Sequence, residues 1–199
     1  MDLKLEFSIV KKTPTDPRKA IELLDTNPSY FRILIYLLLN STFFSLNYLY
    51  GSYIGNPAAY WLIALPYVVP YNALMNLLMC SLLTAFGMAA GKGEYPAGNL
   101  LKNLLVIVLI PQNVLVFLGL ALGIVCSIFG TYYLSVTFME YSVLLAAGFS
   151  AILSACILNA TRDLPEHVSL FASMVAAMVF VVISLLFFIS LFATRVYSV

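Results

Sequence analysis

Asn72, Asn76, Cys80 and Thr84 recur every four residues inside a long apolar run. On a helix that spacing puts all four on one face. Amide and hydroxyl groups facing lipid would lack hydrogen-bond partners, so the stripe must look into a helix bundle. A second polar group, Gln112 and Asn113, follows Pro111 in the middle of another apolar run, with Asn103 at its inner end. It is placed to face Asn72 and Asn76 across the bundle. Two chemistries fit. One is a polar cavity beside broken helices, with Tyr67, Tyr71, Pro66 and Pro70 towards its outer end. The other is interhelical hydrogen bonding that fixes helix register. Amides with no charge among them speak for the second.

Other reactive groups are few. Among ionisable residues only Glu140 comes close to a span, and it is expected as a solvated loop carboxylate at the outer interface. Asp163-Leu164-Pro165-Glu166 has the spacing of an acidic capping box, with Asp163 as N-cap and Glu166 at the third helical position. His167, the single histidine, follows directly. Cys80, Cys126 and Cys156 have no metal-ligand spacing and read as small apolar packing residues. There is no paired-histidine motif, no phosphate loop and no nucleophile elbow. The expectation is a protein without catalytic, metal or cofactor sites.

The elements that hold these residues follow from composition. Of 199 residues, 62% are hydrophobic and 10% charged. No charge lies between Ile33 and Gly91. A water-soluble fold could not cover its surface with so little charge. An apolar run of about 20 residues spans the hydrocarbon layer as a helix. Such runs predict an all-α, polytopic transmembrane bundle of five spans, at roughly 30–49, 59–90, 101–126, 141–160 and 167–193. The run from Leu104 to Met139 contains no charged marker, so the third and fourth boundaries are the least defined. Continuous apolar runs, in place of alternation, speak against a membrane β-barrel.

The charges orient the bundle. With five spans and a cytoplasmic N-terminus, Lys4, Lys11, Lys12, Arg18, Lys19, Arg32, Lys92, Lys102 and Arg162 all lie inside, and only Arg195 outside. Tyr48, Tyr50, Tyr53, Tyr60 and Trp61, then Tyr132, Tyr133 and Tyr141, form candidate aromatic belts at the outer face. The net charge of +1 gives no warrant for a nucleic-acid partner. The lipid bilayer, other membrane proteins or a second copy of the chain are the expected partners. Residues 1–32 carry eleven charges and no early apolar core, so no cleavable signal peptide is expected.

The chain divides into an N-terminal segment, 1–28, and a transmembrane domain, 29–199. Leu3, Leu5, Phe7 and Ile9 alternate with polar residues, which predicts an extended segment. Residues 11–17 read as a linker. Asp16 as N-cap and Pro17 at the first helical position start a short amphipathic helix over 17–25. Its Ile21, Leu23 and Leu24 are expected to face the membrane interface. Asn27-Pro28-Ser29 ends it, and Gly51, Gly55, Asn56 and Pro57 make the first outer turn. Pro66 and Pro70 predict a kinked, tilted or partly re-entrant second span. Small residues at spacing four, Ala147, Ala151 and Ala155 with Ser150 and Ser154, then Ser169, Ser173 and Ala177, predict close helix packing.

Two segments resemble the Yip family, five-span membrane proteins named for interaction with Ypt/Rab GTPases. Asn27-Pro28-Ser29-Tyr30-Phe31-Arg32-Ile33-Leu34 is similar to that family's proline-then-aromatic opening of the first span. Gly91-Lys92-Gly93-Glu94-Tyr95, with Leu100-Leu101 and Pro111, is similar to its glycine-rich loop, restart and mid-span proline. Gly91 and Gly93 are expected to supply positive φ in a tight turn. The resemblance implies the same five-span topology. Eukaryotic members carry a long cytoplasmic region for trafficking partners. Here about thirty residues precede the first span, which resembles a prokaryotic member of a plasma membrane, and the GTPase-binding role does not carry over. The expected function is a non-enzymatic membrane scaffold or adaptor. The alternative is a permease or channel subunit for a small neutral solute.

Overall fold

The computed structural model describes residues 3–52 and 59–196. The readings on Tyr53, Gly55, Asn56 and Pro57, and on the side chains of Tyr48, Tyr50, Tyr60, Trp61, Tyr132 and Arg195, fall outside the described residues and side chains. Seven helices account for nearly all of the described chain: α1 (Leu3–Thr15), α2 (Pro17–Thr26), α3 (Tyr30–Ser52), α4 (Ala59–Ala90), α5 (Ala97–Ile128), α6 (Tyr132–Arg162) and α7 (Glu166–Val196). No strand occurs among the described residues.

Four segments are long and apolar enough to cross a membrane: Pro66–Ala90, Ala97–Ile128, Tyr133–Arg162 and Glu166–Ile183. Their outward faces carry exposed Leu78 and Leu82, Leu118 and Leu122, Leu145 and Ile152, Met178 and Val182. An apolar exterior of this extent needs lipid around it. The protein is therefore a multi-pass, all-helical membrane protein. α3 is not among the four. It is long, but Arg32, Asn40, Ser41, Ser45 and Asn47 lower its hydropathy, and all five are buried.

α5 is the centre. From Asn103 to Ile110 every residue is buried, so the helix is enclosed on all sides. Its most extensive contact is with α6, which in turn packs on α7. The α5–α6 turn follows from local chemistry. Gly130 takes φ 74°, its N–H bonds Ser127 O at 3.0 Å, and Thr131 N–H bonds Cys126 O at 2.9 Å. That is a glycine-terminated helix end with its last carbonyls satisfied. Gly119 and Gly123 then let α6 approach closely, against Ser142 and Met139. Ser150, Ala151, Ser154 and Ala155 of α6, and Ser169 and Ser173 of α7, are buried as the small-residue spacing predicts, whereas Ala147 and Ala177 are only partly buried. α4 runs through Pro66 and Pro70 as one α-helix.

Several expectations are corrected. Residues 3–10 are helical, not extended, and the helix continues through the expected linker to Thr15, with Pro14 in its last turn. Glu6, Ile9 and Thr13, at helical spacing, are its buried face. The alternating set splits, with Leu3 and Phe7 exposed. A long-range ion pair outweighs local pattern here: Arg32 Nε donates to Glu6 Oε1 at 2.7 Å. Tyr36 Oη donates to Glu6 Oε2 at 3.1 Å, and Arg32 Nη1 to Asn27 O at 2.8 Å. α2 starts as expected, with Lys19 N–H on Asp16 Oδ1 at 3.3 Å. Its Ile21 and Leu24, however, are buried in the protein core and do not face the lipid interface. The third and fourth spans are longer than expected, and Glu140 lies within α6, exposed, not in a loop. Asp163 is not an N-cap: it ends α6 in the left-handed conformation, φ 50°.

Removing one partner of a buried ion pair typically costs about 3–5 kcal/mol. Glu6→Ala should therefore release α1 from the bundle. Hydrogen exchange should show amides of residues 3–15 exchanging about a hundredfold faster or more, with α5 unchanged.

Candidate functional site

Polar side chains gather at two levels of the bundle. The deeper level is built on α3. Asn40 Nδ2 donates to Gln112 Oε1 of α5 at 3.0 Å, and Asn40 Oδ1 accepts from Asn76 Nδ2 of α4 at 2.9 Å. Asn72 Nδ2 donates to Ser45 Oγ at 3.3 Å. Asn113 Nδ2 donates to Tyr36 O at 3.2 Å. Further along α3, Asn47 Nδ2 donates to Ser142 Oγ of α6 at 3.1 Å. Asn72, Asn76, Cys80 and Thr84 are all buried, as their spacing predicts. Thr84 turns back on its own helix, bonding Cys80 O at 2.7 Å.

The structure thus brings Asn76 and Gln112 together, but through Asn40, a residue the sequence analysis passed over. Asn40, Ser41, Ser45 and Asn47 break an otherwise apolar helix at helical spacing, and that interruption was the available signal. Asn103 is not part of this layer. It belongs to the other level, at the end of the bundle where the charges collect.

There the organiser is Arg162, at the C-terminus of α6. Its Nε donates to Gly87 O at 3.0 Å. Nη1 donates to Gly93 O and, at 3.2 Å, to Tyr95 O. Nη2 donates to Gly91 O at 3.2 Å and Met88 O at 3.5 Å. Gly87 O and Met88 O belong to the last turn of α4, at the negative end of its helix dipole, and Gly87 O also accepts from Gly91 N–H at 3.0 Å. In return, Lys92 and Gly93 N–H groups bond Arg162 O at 3.0 and 3.3 Å. The glycines serve close approach, not positive φ. A Cβ at Gly91 would lie 2.7 Å from Arg162 O, and one at Gly93 2.6 Å from Thr161 O. Sequence reading treated Arg162 only as an orienting charge.

Beside this clamp, Tyr95 Oη donates to the Asp25 carboxylate at 2.5 Å. Asn103 Nδ2 reaches Asp25 Oδ1 at 2.9 Å and Tyr95 Oη at 2.6 Å. The three groups tie α2, the 91–96 loop and α5 together. Burial, then the Asp25 hydrogen bond and charge, push the Tyr95 phenol well above its ordinary value. Lys102 Nζ sits 4.5 Å from the Tyr30 ring centre, a cation–π contact joining α5 to α3.

An open cleft of about 750 Å³ lies between α2, the loop and the α6–α7 turn. Arg18, Glu22, Glu94, Tyr95, Thr161 and Asp163 are among its lining residues. Three carboxylates against one guanidinium make it an acidic surface. Glu140 and His167 are exposed elsewhere, on α6 and in the first turn of α7, and neither lines the cleft. The three cysteines are free thiols. Among the described residues, no group of three His, Cys, Asp or Glu is placed to hold a metal ion.

Comparisons with protein-family models, with curated proteins and with solved structures give no match to the chain.

Two outcomes are expected here. Gly91→Ala forces a Cβ against backbone, so thermal unfolding in detergent should show a loss of about 1–3 kcal/mol. The second concerns alkaline pH. The fold holds the Tyr95 proton more tightly than the unfolded chain does, so its contribution is complete below the ordinary tyrosine value of about 10 and is lost as pH rises above it. The stability difference between the wild type and Tyr95→Phe should shrink as pH is raised from about 9 to about 11.

Proposed function

We propose that the chain is a non-enzymatic integral membrane scaffold or adaptor, in five spans, with its charged end in the cytoplasm of a prokaryotic cell. The observation that carries this reading is the use of the interior amides. Asn40, Asn47, Asn72 and Asn76 join α3 to α4, α5 and α6 by direct side-chain bonds. Groups committed to holding helices in register are not arranged as a smooth path for a solute. The acidic cleft on the charged end gives such a scaffold a place to receive a basic segment of another membrane protein. The resemblance to the Yip family supports the same reading through the Asn27–Leu34 and Gly91–Tyr95 segments.

The test is native mass spectrometry of the protein extracted from its own membrane in mild detergent. The expected result is a stoichiometric protein partner or a homo-oligomer. A monomer carrying only a discrete small solute would overturn the proposal.

A second reading, a permease for a small neutral solute, draws on the amide oxygens of Asn72, Asn76 and Asn113, for which no donor is found among the described residues. Asn76→Leu separates the two. On the scaffold reading it removes two bonds, to Asn40 Oδ1 and Asn72 O, and should lower stability by about 1–3 kcal/mol without a solute-specific phenotype. On the permease reading flux is lost.

A further inference from the structure

One half of α1 is committed to the protein and the other half is not. Glu6, Ile9 and Thr13 are buried, with Leu5 and Val10 packed against the core beside them. The opposite arc carries Leu3 and Phe7, 77% and 71% exposed. Lys4 and Lys11 are exposed on it too. At the pitch of an α-helix the arc sorts into two stripes. Leu3, Phe7 and Pro14 form the first, beside the half-buried Val10. Lys4, Lys11 and Thr15 form the second, and the half-buried Lys12 flanks it. The one carboxylate between Leu3 and Thr15 is Glu6, on the buried side. The outward arc is therefore apolar along one edge and purely basic along the other.

The depth of this arc is fixed by Glu6. Its carboxylate is held by Arg32 and Tyr36, which stand in the first two turns of α3. Leu3 and Phe7 each lie within one turn of Glu6. They therefore stand near the depth at which α3 begins, whatever the tilt of α1. There α3 itself leaves Phe31 and Leu34 exposed, part of the apolar exterior that needs lipid. A leucine and a phenylalanine open to water would forgo their burial energy. At a bilayer surface they enter the upper acyl chains, and ammonium groups on flexible stems reach the phosphates. Basic groups with no acid beside them on that arc complement headgroups of net negative charge.

We infer that the outward face of α1 is a docking surface for anionic phospholipid, with Leu3 and Phe7 in the upper acyl layer and Lys4 and Lys11 at the phosphates. The interfacial role expected of α2 thus passes to the helix before it. The inference rests on the membrane class of the protein alone, and it holds for a scaffold and for a permease alike.

The test uses the full chain reconstituted in nanodiscs. With Trp61→Phe and Phe7→Trp, the single indole reports on α1. Lipid brominated near the carbonyl end of its acyl chains should quench that indole more strongly than lipid brominated near the tail end. Hydrogen exchange of the wild type then reads the charge. Amides of residues 3–15 should exchange about tenfold slower in bilayers rich in anionic lipid than in zwitterionic ones, and high salt should shrink the difference. A lysine beside an anionic surface is worth about fivefold in binding. Lys4→Gln together with Lys11→Gln should therefore remove most of the difference. Two results overturn the inference. One is an indole that neither lipid quenches, or that the deep bromine quenches more, which puts water, another protein or the bilayer centre against α1. The other is equal exchange of the wild type in the two bilayers, which removes the anionic headgroup. If the tryptophan variant does not fold, the wild-type exchange comparison still decides the matter.

Discussion

The saturation of the Arg162 guanidinium by backbone carbonyls is the interaction on which the charged end of the bundle depends. A helix end leaves carbonyls short of donors, and Gly87-Met88-Ala89-Ala90-Gly91 at the end of α4 has no hydrogen-bonding side chain. Arg162 supplies further hydrogens from α6 to Gly87 O and Met88 O. Its planar fork reaches several acceptors at once, which a lysine could not do. Because the same side chain holds the 91–95 loop, it also sets where Tyr95 stands. Tyr95 in turn positions Asp25, and so the attachment of α2. One side chain thereby couples α6 to the end of α4 and the loop that follows it, and through Tyr95 to α2.

A different constraint governs the interior. Lipid gives helices no hydrophobic reason to prefer one another over the hydrocarbon around them, so register has to come from shape and from polar contacts. Two devices share the work. On the α5–α6–α7 side, small residues allow close backbone approach. On the α3 side, amides reach across wider gaps. α3 is the least apolar of the long helices because it faces inward with its polar residues and depends on α4, α5 and α6 to cover them. Phe43 packs against Phe117 of α5 with tilted rings at 5.2 Å, and Phe44 lies edge-on to Phe180 of α7 at 6.4 Å, so aromatic contacts also tie α3 to its neighbours.

The helical class and the inward polar stripe were legible in the sequence because both rest on local periodicity. Asn72, Asn76, Cys80 and Thr84 needed only the pitch of a helix to be placed. Pro17 after Asp16 needed only capping chemistry. The failures share a cause, namely contacts between residues distant in the chain. The period-two pattern of residues 3–9 lost to an ion pair with Arg32, twenty-six positions away from Glu6. Gly91 and Gly93 looked like turn glycines because nothing local announces that α6 passes against them. Asp163-Leu164-Pro165-Glu166 has the letters of a capping box, yet Asp163 closes the preceding helix. Asn40 was overlooked because a single asparagine gains meaning only beside its partners on other helices.

The α5–α6 turn has a consequence for how the molecule is made. Gly130 and Thr131 close the end of α5 with bonds local to the turn, and Gly119 and Gly123 lie on α5 just before it, facing α6 residues just after it. The two helices can therefore zip together outward from the turn as soon as both exist, without waiting for the rest of the chain. Their contact leaves no room for an acyl chain between them. During biosynthesis α5 and α6 would leave the insertion machinery as one paired unit, and the later-made α7 would join a hairpin already dry inside.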